Sequence, residues 1–184
     1  MAESKDFHQR HVFLHFARYN QRANSEMYVL LSQLTDRARK RDCGAWFGSI
    51  HKILNHLLVG DMYWLNRFKP IFPESQVLGN PRLSPPNLSW VDDLHEDFEL
   101  QREERIFVDG RIVAWFEELP LDRYREPFQY RDSAGELRNA VSGQAFEFLF
   151  LHQIHHRGQI SQVLDTLGVP NNLADNGPFL EGPQ

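Results

Sequence analysis

The sequence predicts an all-α protein, a four-helix bundle with one long crossover loop and a short β-hairpin before the last helix. Three observations carry this. Apolar residues recur every three to four positions in four separate stretches, which is the helical period. Five of the ten prolines crowd into Lys69–Asn87, where no long helix can pass. A short alternating stretch folds back around Asp132-Ser133-Ala134-Gly135, the pattern of a hairpin.

The first helical pattern runs from about Phe7 to Arg39, with Val12, Phe16, Tyr19, Ala23, Met27, Leu30 and Leu34 as its apolar stripe. Gly44 marks a break, and so short a connection favours antiparallel neighbours. The second pattern covers about Ala45 to Phe68, with the stripe Trp46, Ile50, Ile53, Leu57, Gly60 and Trp64. The proline-rich interval that follows is long enough to carry the chain across the bundle. Ser89 then has the character of an N-cap, with Asp92 and Asp93 beside the positive end of the helix dipole. This third helix reaches about Glu118 and presents Leu94, Phe98, Val108, Ile112, Trp115 and Leu119. Gln101 and Arg105 interrupt that stripe, so its middle should line something polar. Pro120 stops it. Phe128 and Tyr130, then Leu137 to Val141, form the hairpin. The last helix spans about Gln144 to Leu167 and is stopped by Gly168, Val169 and Pro170. The Asn-, Gly- and Pro-rich tail to Gln184 is expected to lie over the surface.

Composition narrows the functional classes. A chain of 184 residues fits one domain over 1–184 with a sizeable core. Net charge is −5 and no Lys/Arg run stands out, which argues against nucleic-acid binding. No segment has the apolar length that spans a bilayer. The N-terminal Met1-Ala2-Glu3-Ser4-Lys5-Asp6 lacks the apolar core of a secretion signal. One cysteine, Cys43, rules out an intramolecular disulfide and a multi-cysteine zinc site, and suits a reducing cytoplasm. Any metal must therefore be held by histidines and carboxylates.

The histidines supply candidates. In the last helix the core positions step through Ala145, Leu149, His152, His156, Ile160, Val163 and Leu167. His152 and His156 are one turn apart on one face, with Cβ atoms about 6 Å apart, a spacing from which two imidazoles can grip one ion. His155 lies about 60° away at the edge of that face. In the second helix His56 falls on the inner edge of the stripe, between Ile53 and Gly60, while His51 sits beside Lys52, nearer solvent. His56 is therefore the best third ligand. Three neutral imidazoles from two helices leave a coordination position open, as in catalytic sites, and the ion would lower the pKa of a bound water. With no carboxylate ligand the site favours an anionic fourth ligand, hydroxide or thiolate. The bland alternative is a buried hydrogen-bonded histidine network without metal. His8, His11 and His15 lie off the first stripe and read as a solvated face or a dimer contact; His95, beside Glu96 and Asp97, reads as exposed.

These residues also carry a resemblance. Ala17-Arg18-Tyr19-Asn20-Gln21-Arg22-Ala23-Asn24, Ile53-Leu54-Asn55-His56-Leu57-Leu58-Val59-Gly60-Asp61 with Trp64, and His152-Gln153-Ile154-His155-His156-Arg157-Gly158-Gln159 resemble the DinB-like (damage-inducible) superfamily. That superfamily also holds the bacillithiol- and mycothiol-dependent S-transferases. The resemblance implies an up-down-down-up bundle, metal ligands at His56, His152 and His156, one nickel or zinc ion per chain, and a homodimer. Arg157 is expected to pair with Asp61 or another acid. Asn55 and Gln153 are candidates for hydrogen bonds to the imidazoles, and Tyr63 and Trp64 for pocket walls.

Three functions stay open on sequence. The first is a metal-dependent enzyme, most concretely one transferring a low-molecular-weight thiol to an electrophile, with a metal-dependent hydrolase as its near relative. The substrate would be a small molecule in a cleft covered by the Lys69–Asn87 loop. The second is a non-enzymatic metal-binding stress-response or interaction protein. The third is the metal-free network.

Overall fold

The computed structural model describes residues 2–84, 89–132 and 134–173, with side chains from Gln9 onward and that of Leu121 excepted. The expected Asn87 end of the crossover, Ser133, the tail beyond 173 and the His8 side chain lie outside the described residues. In chain order come helices α1 (Ala2–Leu31) and α2 (Asp36–Lys40), α3 (Ile50–Phe68), a 3₁₀ turn at Pro81–Leu83, and α4 (Phe98–Glu118). A second 3₁₀ turn at Leu121–Arg125, strands β1 (Pro127–Arg131) and β2 (Leu137–Val141), and α5 (Ser142–Thr166) complete the chain. The fold is all-α apart from the two-stranded antiparallel hairpin, which pairs Pro127 with Val141 and Arg131 with Leu137.

Helix α1 begins at Ala2 rather than near Phe7. Three further helix boundaries differ from the sequence expectation, each for a local reason. The first pattern is two helices, because Thr35 adopts an extended ψ of 154° and its side chain caps α2 at Ala38 N–H. Arg39 then reaches back to the Leu31 carbonyl at 3.0 Å and to that of Leu34, satisfying the open end of α1. The second helix starts at Ile50, not Ala45. Gly48 takes φ +82°, a left-handed conformation that glycine allows, and Ser49 caps the helix at Lys52 N–H. Trp46, expected in the stripe, is 78% exposed. The third helix starts after Asp97, whose carboxylate caps Leu100 N–H, rather than at Ser89. Asp92 and Asp93 belong instead to a non-helical stretch, residues 89–97, that lies against α3.

Of the expected α1 stripe, Tyr19, Ala23 and Met27 are buried, but the buried face is shifted to one side. Phe13, Ala17, Asn20, Asn24, Tyr28 and Leu31 are buried as well, whereas Val12 is 38% exposed. The sequence pattern missed this part of the face in part because two of its members are asparagines. They are explained by the way the interior is divided.

Two apolar clusters fill the bundle. One gathers Phe13, Ala17, Leu58, Leu65, Phe68, Trp115, Phe116, Phe146 and Leu149; the other gathers Met27, Leu31, Ile50, Ile53, Leu57, Phe98, Ile160 and Leu164. Each long helix contributes one end to each cluster. The first half of α1 and of α5 enters the first cluster, and the first half of α3 and of α4 enters the second. The helices therefore run up, down, down, up. α1 packs on α4 and α5, and α3 packs on the same two.

A polar layer separates the clusters. Arg105 of α4 contacts Asp61 of α3 at 2.7 Å and Asp109 at 2.8 Å. Gln153 of α5 donates to Asp61 at 2.6 Å, and Asn24 of α1 donates to Asp109 at 3.1 Å. Arg157 of α5 donates to Asn20 and Asn24 at 2.5 and 3.1 Å. All are buried. Two arginines and two aspartates balance. Burial works against the charge on Arg105, but Asp109 and Asp61 outweigh it and raise its pKa. Burial pushes Asp109 up to about 6. The polar interruption expected at Gln101 and Arg105 is this layer. Arg157 does not pair with Asp61, because Arg105 already occupies that carboxylate.

The Lys69–Asn87 interval, as far as Ser84, is packed and not a cover. Phe72, Leu78 and Leu83 are buried in the first cluster. No described helix is long and apolar enough to cross a membrane.

Candidate metal centre

His56 of α3 and His152 and His156 of α5 meet at the level of the polar layer. His152 Nε2 lies 2.9 Å from His56 Nε2 and 3.1 Å from His156 Nε2. The outer nitrogens of His56 and His156 are held by acceptors. His56 Nδ1 is 3.0 Å from the Trp90 carbonyl, and His156 Nδ1 is 2.7 Å from Gln159 Oε1. A neutral imidazole has one N–H. His56 and His156 each use theirs at Nδ1, so two Nε2 lone pairs face the Nε2 of His152. One proton on His152 can be aimed at only one of them.

A cation satisfies all three. Nitrogens bound at roughly 2.0–2.1 Å to one ion stand roughly 2.9–3.4 Å apart, which matches the two separations at His152 Nε2. The three residues thus form a group that could hold a metal ion. Burial, with the neighbouring imidazoles, pushes His152 down to about 3. Burial likewise takes His156 down to about 4 and lowers His56. All three stay neutral at pH 7, as coordination requires.

The surroundings are shaped to this group. A Cβ on Gly60 would lie 3.1 Å from His152 Cε1, tighter than ordinary contact, so the missing side chain lets the ring sit this close to α3. Phe47 packs on His56 with ring centres 4.1 Å apart and on His156 at 5.4 Å. Phe148 stacks on His152 at 5.8 Å. Trp90 arrives on the stretch before α4, which Asn55 pins to α3. Asn55 donates to the His95 carbonyl at 3.0 Å and to Asp93 at 3.2 Å, and accepts from His95 N–H at 2.9 Å. Lys52 adds an ion pair to Asp93 at 2.7 Å.

A cleft of about 420 Å³ opens beside His56 and His152. Trp64, Trp90, Tyr130 and Phe148 wall it, and Arg67 and Asp132 share its lining. Among the described residues, one side comes from the hairpin and one from the stretch before α4, and none from the proline-rich loop expected to cover it.

The model of the DinB family matches residues 1–183. The chain belongs to the DinB family. Protein DinB of Bacillus subtilis (strain 168) is 21% identical over 167 residues, covering 88% of this chain and 90% of that protein.

In this DinB-family chain the three histidines named from sequence come together, and His155 is exposed beside Gln159. Other expectations are corrected. His51 is buried, not solvent-facing, with Nε2 3.2 Å from Asn55 Nδ2. Asn55 and Gln153 do not touch the three imidazoles through hydrogen bonds; Asn55 holds the Trp90 stretch and Gln153 holds Asp61. His95 is half-buried near Glu104 rather than exposed. Trp64 walls the cleft as expected, and Tyr63 stacks on Trp90 at 4.9 Å. His11 and His15 are exposed on α1. Cys43 is exposed, its thiol 3.2 Å from the Gly48 carbonyl.

Sequence reasoning missed Trp90, Gln159 and Phe47. Gln159 had a readable signal, since it follows His156 by three residues and so lies one turn on. Trp90 had none, because its carbonyl meets His56 across 34 residues of chain. His51, Asp93 and Glu96 form a second group with ligand-type atoms close together. Lys52 and Lys40 already neutralise its carboxylates.

Proposed function

We propose that this DinB-family protein is a metal-dependent enzyme in which His56, His152 and His156 hold one divalent ion, nickel or zinc, and that it transfers a low-molecular-weight thiol to an electrophile. One observation carries the reading: three Nε2 atoms converge, those of His56 and His156 with their protons committed at Nδ1, at the edge of an aromatic cleft wide enough for a small molecule. A bound divalent ion would supply Lewis acidity, favouring the deprotonated form of a thiol near neutral pH. In the overall reaction the thiol loses its S–H proton, a sulfur–carbon bond forms, and the leaving group of the electrophile departs with the bonding electrons.

The chain's own residues would have three tasks. The Trp90 carbonyl and Gln159 fix the tautomers of His56 and His156, so that Nε2 is the free nitrogen in each. Gly60 leaves room for His152. Phe47 and Phe148 pack against the imidazoles and limit water beside them. Among the described residues that line the cleft, the one carboxylate, Asp132, is held by Arg138, which is why a substrate acidified by the ion suits this site better than chemistry needing a second proton acceptor.

The test is metal analysis of untagged protein, followed by thiol binding and conjugation. About one ion per chain is expected, lost in His56→Ala, His152→Ala and His156→Ala. Cobalt-loaded wild type should develop sulfur-to-cobalt charge-transfer absorption with a small thiol and should conjugate it to an electrophile faster than the alanine variants. Stoichiometric metal in all three variants overturns the ligand assignment. Equal turnover by wild type and variants overturns the enzymatic reading.

A further inference from the structure

We propose that the aromatic cleft beside the triad recognises a small molecule bearing a carboxylate, and that Arg67 is the group that reads it. The identity of the other end of that molecule, a thiol, rests on the function proposed above. Carboxylate docking at Arg67 does not.

Arg67 follows His56 by eleven residues on α3. At 100° per residue that is three turns and about 20°, so both side chains rise from one face of the helix. Both line the same cleft. The guanidinium is bracketed by rings, with Cζ 4.8 Å from Trp64, 4.9 Å from Tyr130 and 5.8 Å from Trp90. One donor, Nη2, goes to the Arg131 carbonyl at 2.8 Å and fixes the group in place. Among the described residues no carboxylate forms an ion pair with it. Asp132 shares the lining but is taken: Arg138 Nε holds its Oδ2 at 2.7 Å, and Ala134 and Glu136 N–H hold its Oδ1 at 2.9 and 3.0 Å.

Stacking on Trp64 and Tyr130 accounts for the faces of the guanidinium. It leaves the in-plane donors, of which a guanidinium has five and this one has used one. Burial already disfavours the charge on Arg67, which lowers its pKa. A partly dehydrated cation with free planar donors fits a carboxylate, which offers two acceptors in one plane. A single cation in an aromatic wall suits a monoanion better than a phosphate dianion.

The rings set an upper limit on the length of the ligand. Trp90 is 6.1 Å from His56 and 5.8 Å from Arg67 Cζ, so the guanidinium lies no more than about 12 Å from the imidazole. At roughly 3.3–3.6 Å per extended residue, the ligand between them is no longer than about three residues. The favoured substrate is therefore a small thiol, with its carboxylate at Arg67 and its sulfur toward the histidines.

The four tryptophans make the test direct. Trp46, Trp64 and Trp90 line the cleft, while Trp115 is fully buried in the first apolar cluster and serves as an internal control. Metal-free full-length protein labelled with ¹⁵N would be titrated with 4-phenylbutyrate and with 4-phenylbutanol, following the indole N–H signals. The acid should shift Trp64 and Trp90, leave Trp115 unmoved, and bind about tenfold more tightly than the alcohol, as a charge-assisted contact provides. Arg67→Gln should erase the advantage of the acid over the alcohol. Equal binding of acid and alcohol by wild type, or an acid advantage that survives in Arg67→Gln, overturns the proposal. The wild-type comparison requires no variant to fold. Because no metal is present, failure of metal binding elsewhere would sink the triad reading without touching this result.

Discussion

Replacing Gly60 by alanine separates metal binding from folding. The new Cβ would sit 3.1 Å from His152 Cε1 and 3.6 Å from His152 Nδ1. Carbon atoms in comfortable contact stand about 3.5–4.0 Å apart, so the ring must withdraw by roughly half an ångström. In the metal-free chain this is cheap, because His152 Nδ1 makes no hydrogen bond among the described residues and the ring can turn. Alanine also gains about 1 kcal/mol of helix propensity over glycine. The metal-free variant should therefore melt at or slightly above the wild-type temperature. Metal coordination is less forgiving, since ligand distances are held to about 0.2 Å. Disturbing the support of a ligand by this much typically costs about 10- to 100-fold in affinity, or ~1.4–2.8 kcal/mol. The assay pairs circular-dichroism melting of metal-free protein with competitive zinc titration. A folded Gly60→Ala protein that binds zinc within twofold of wild type would refute the reasoning, since His152 could not then be a ligand held in this position.

Acid should destabilise the metal-free chain in a defined window. The folded pKa values of His152 and His156 are depressed to about 3 and 4, so their contribution is complete above about 6.5 and is lost as pH falls from there toward those values. Each group contributes a slope of up to about 1.4 kcal/mol per pH unit. Urea midpoints between pH 7.5 and 4.5 should fall more steeply in wild type than in His152→Phe, and parallel profiles would count against it. Arg105→Met leaves Asp61 and Asp109 buried without their cation and should cost about 3–5 kcal/mol in denaturant unfolding; the triple change with Asp61→Asn and Asp109→Asn should recover most of it. Phe146, at the centre of the first aromatic cluster with ring contacts to Phe68, Trp115 and Phe116, should cost about 3–5 kcal/mol as alanine. A loss below 1 kcal/mol in equilibrium unfolding would show that the cluster repacks.

The parts of this fold legible in sequence were those governed by local rules. Helix periodicity found four long helices, and alternation with a turn found the hairpin, with the bounds of its second strand, Leu137–Val141. The three ligand candidates were readable because His152 and His156 differ by one turn and His56 lies beside a glycine on an inward face. Boundaries failed where a cap competes with an apolar run. Thr35, Ser49 and Asp97 each start a helix inside or beyond a stretch whose stripe suggested otherwise. The face of α1 was read only in part, at Tyr19, Ala23 and Met27, because hydrophobicity cannot reveal that Asn20 and Asn24 are buried for the sake of Arg157 and Asp109 on other helices. The Trp90 contact and the packed proline-rich interval depend on long-range placement, for which no spacing rule exists.

The polar layer has a consequence for how such chains can diverge. Asn24, Asp61, Arg105 and Arg157 come from four different helices, yet each completes a bond that another begins. A single replacement leaves a dehydrated charge behind, whereas a joint replacement can be nearly silent. Drift at these positions should therefore proceed by paired exchange, with Asp61 and Arg105 changing in the same lineages and Asn24 following Asp109. The apolar clusters on either side should wander more freely, because volume there can be traded one residue at a time.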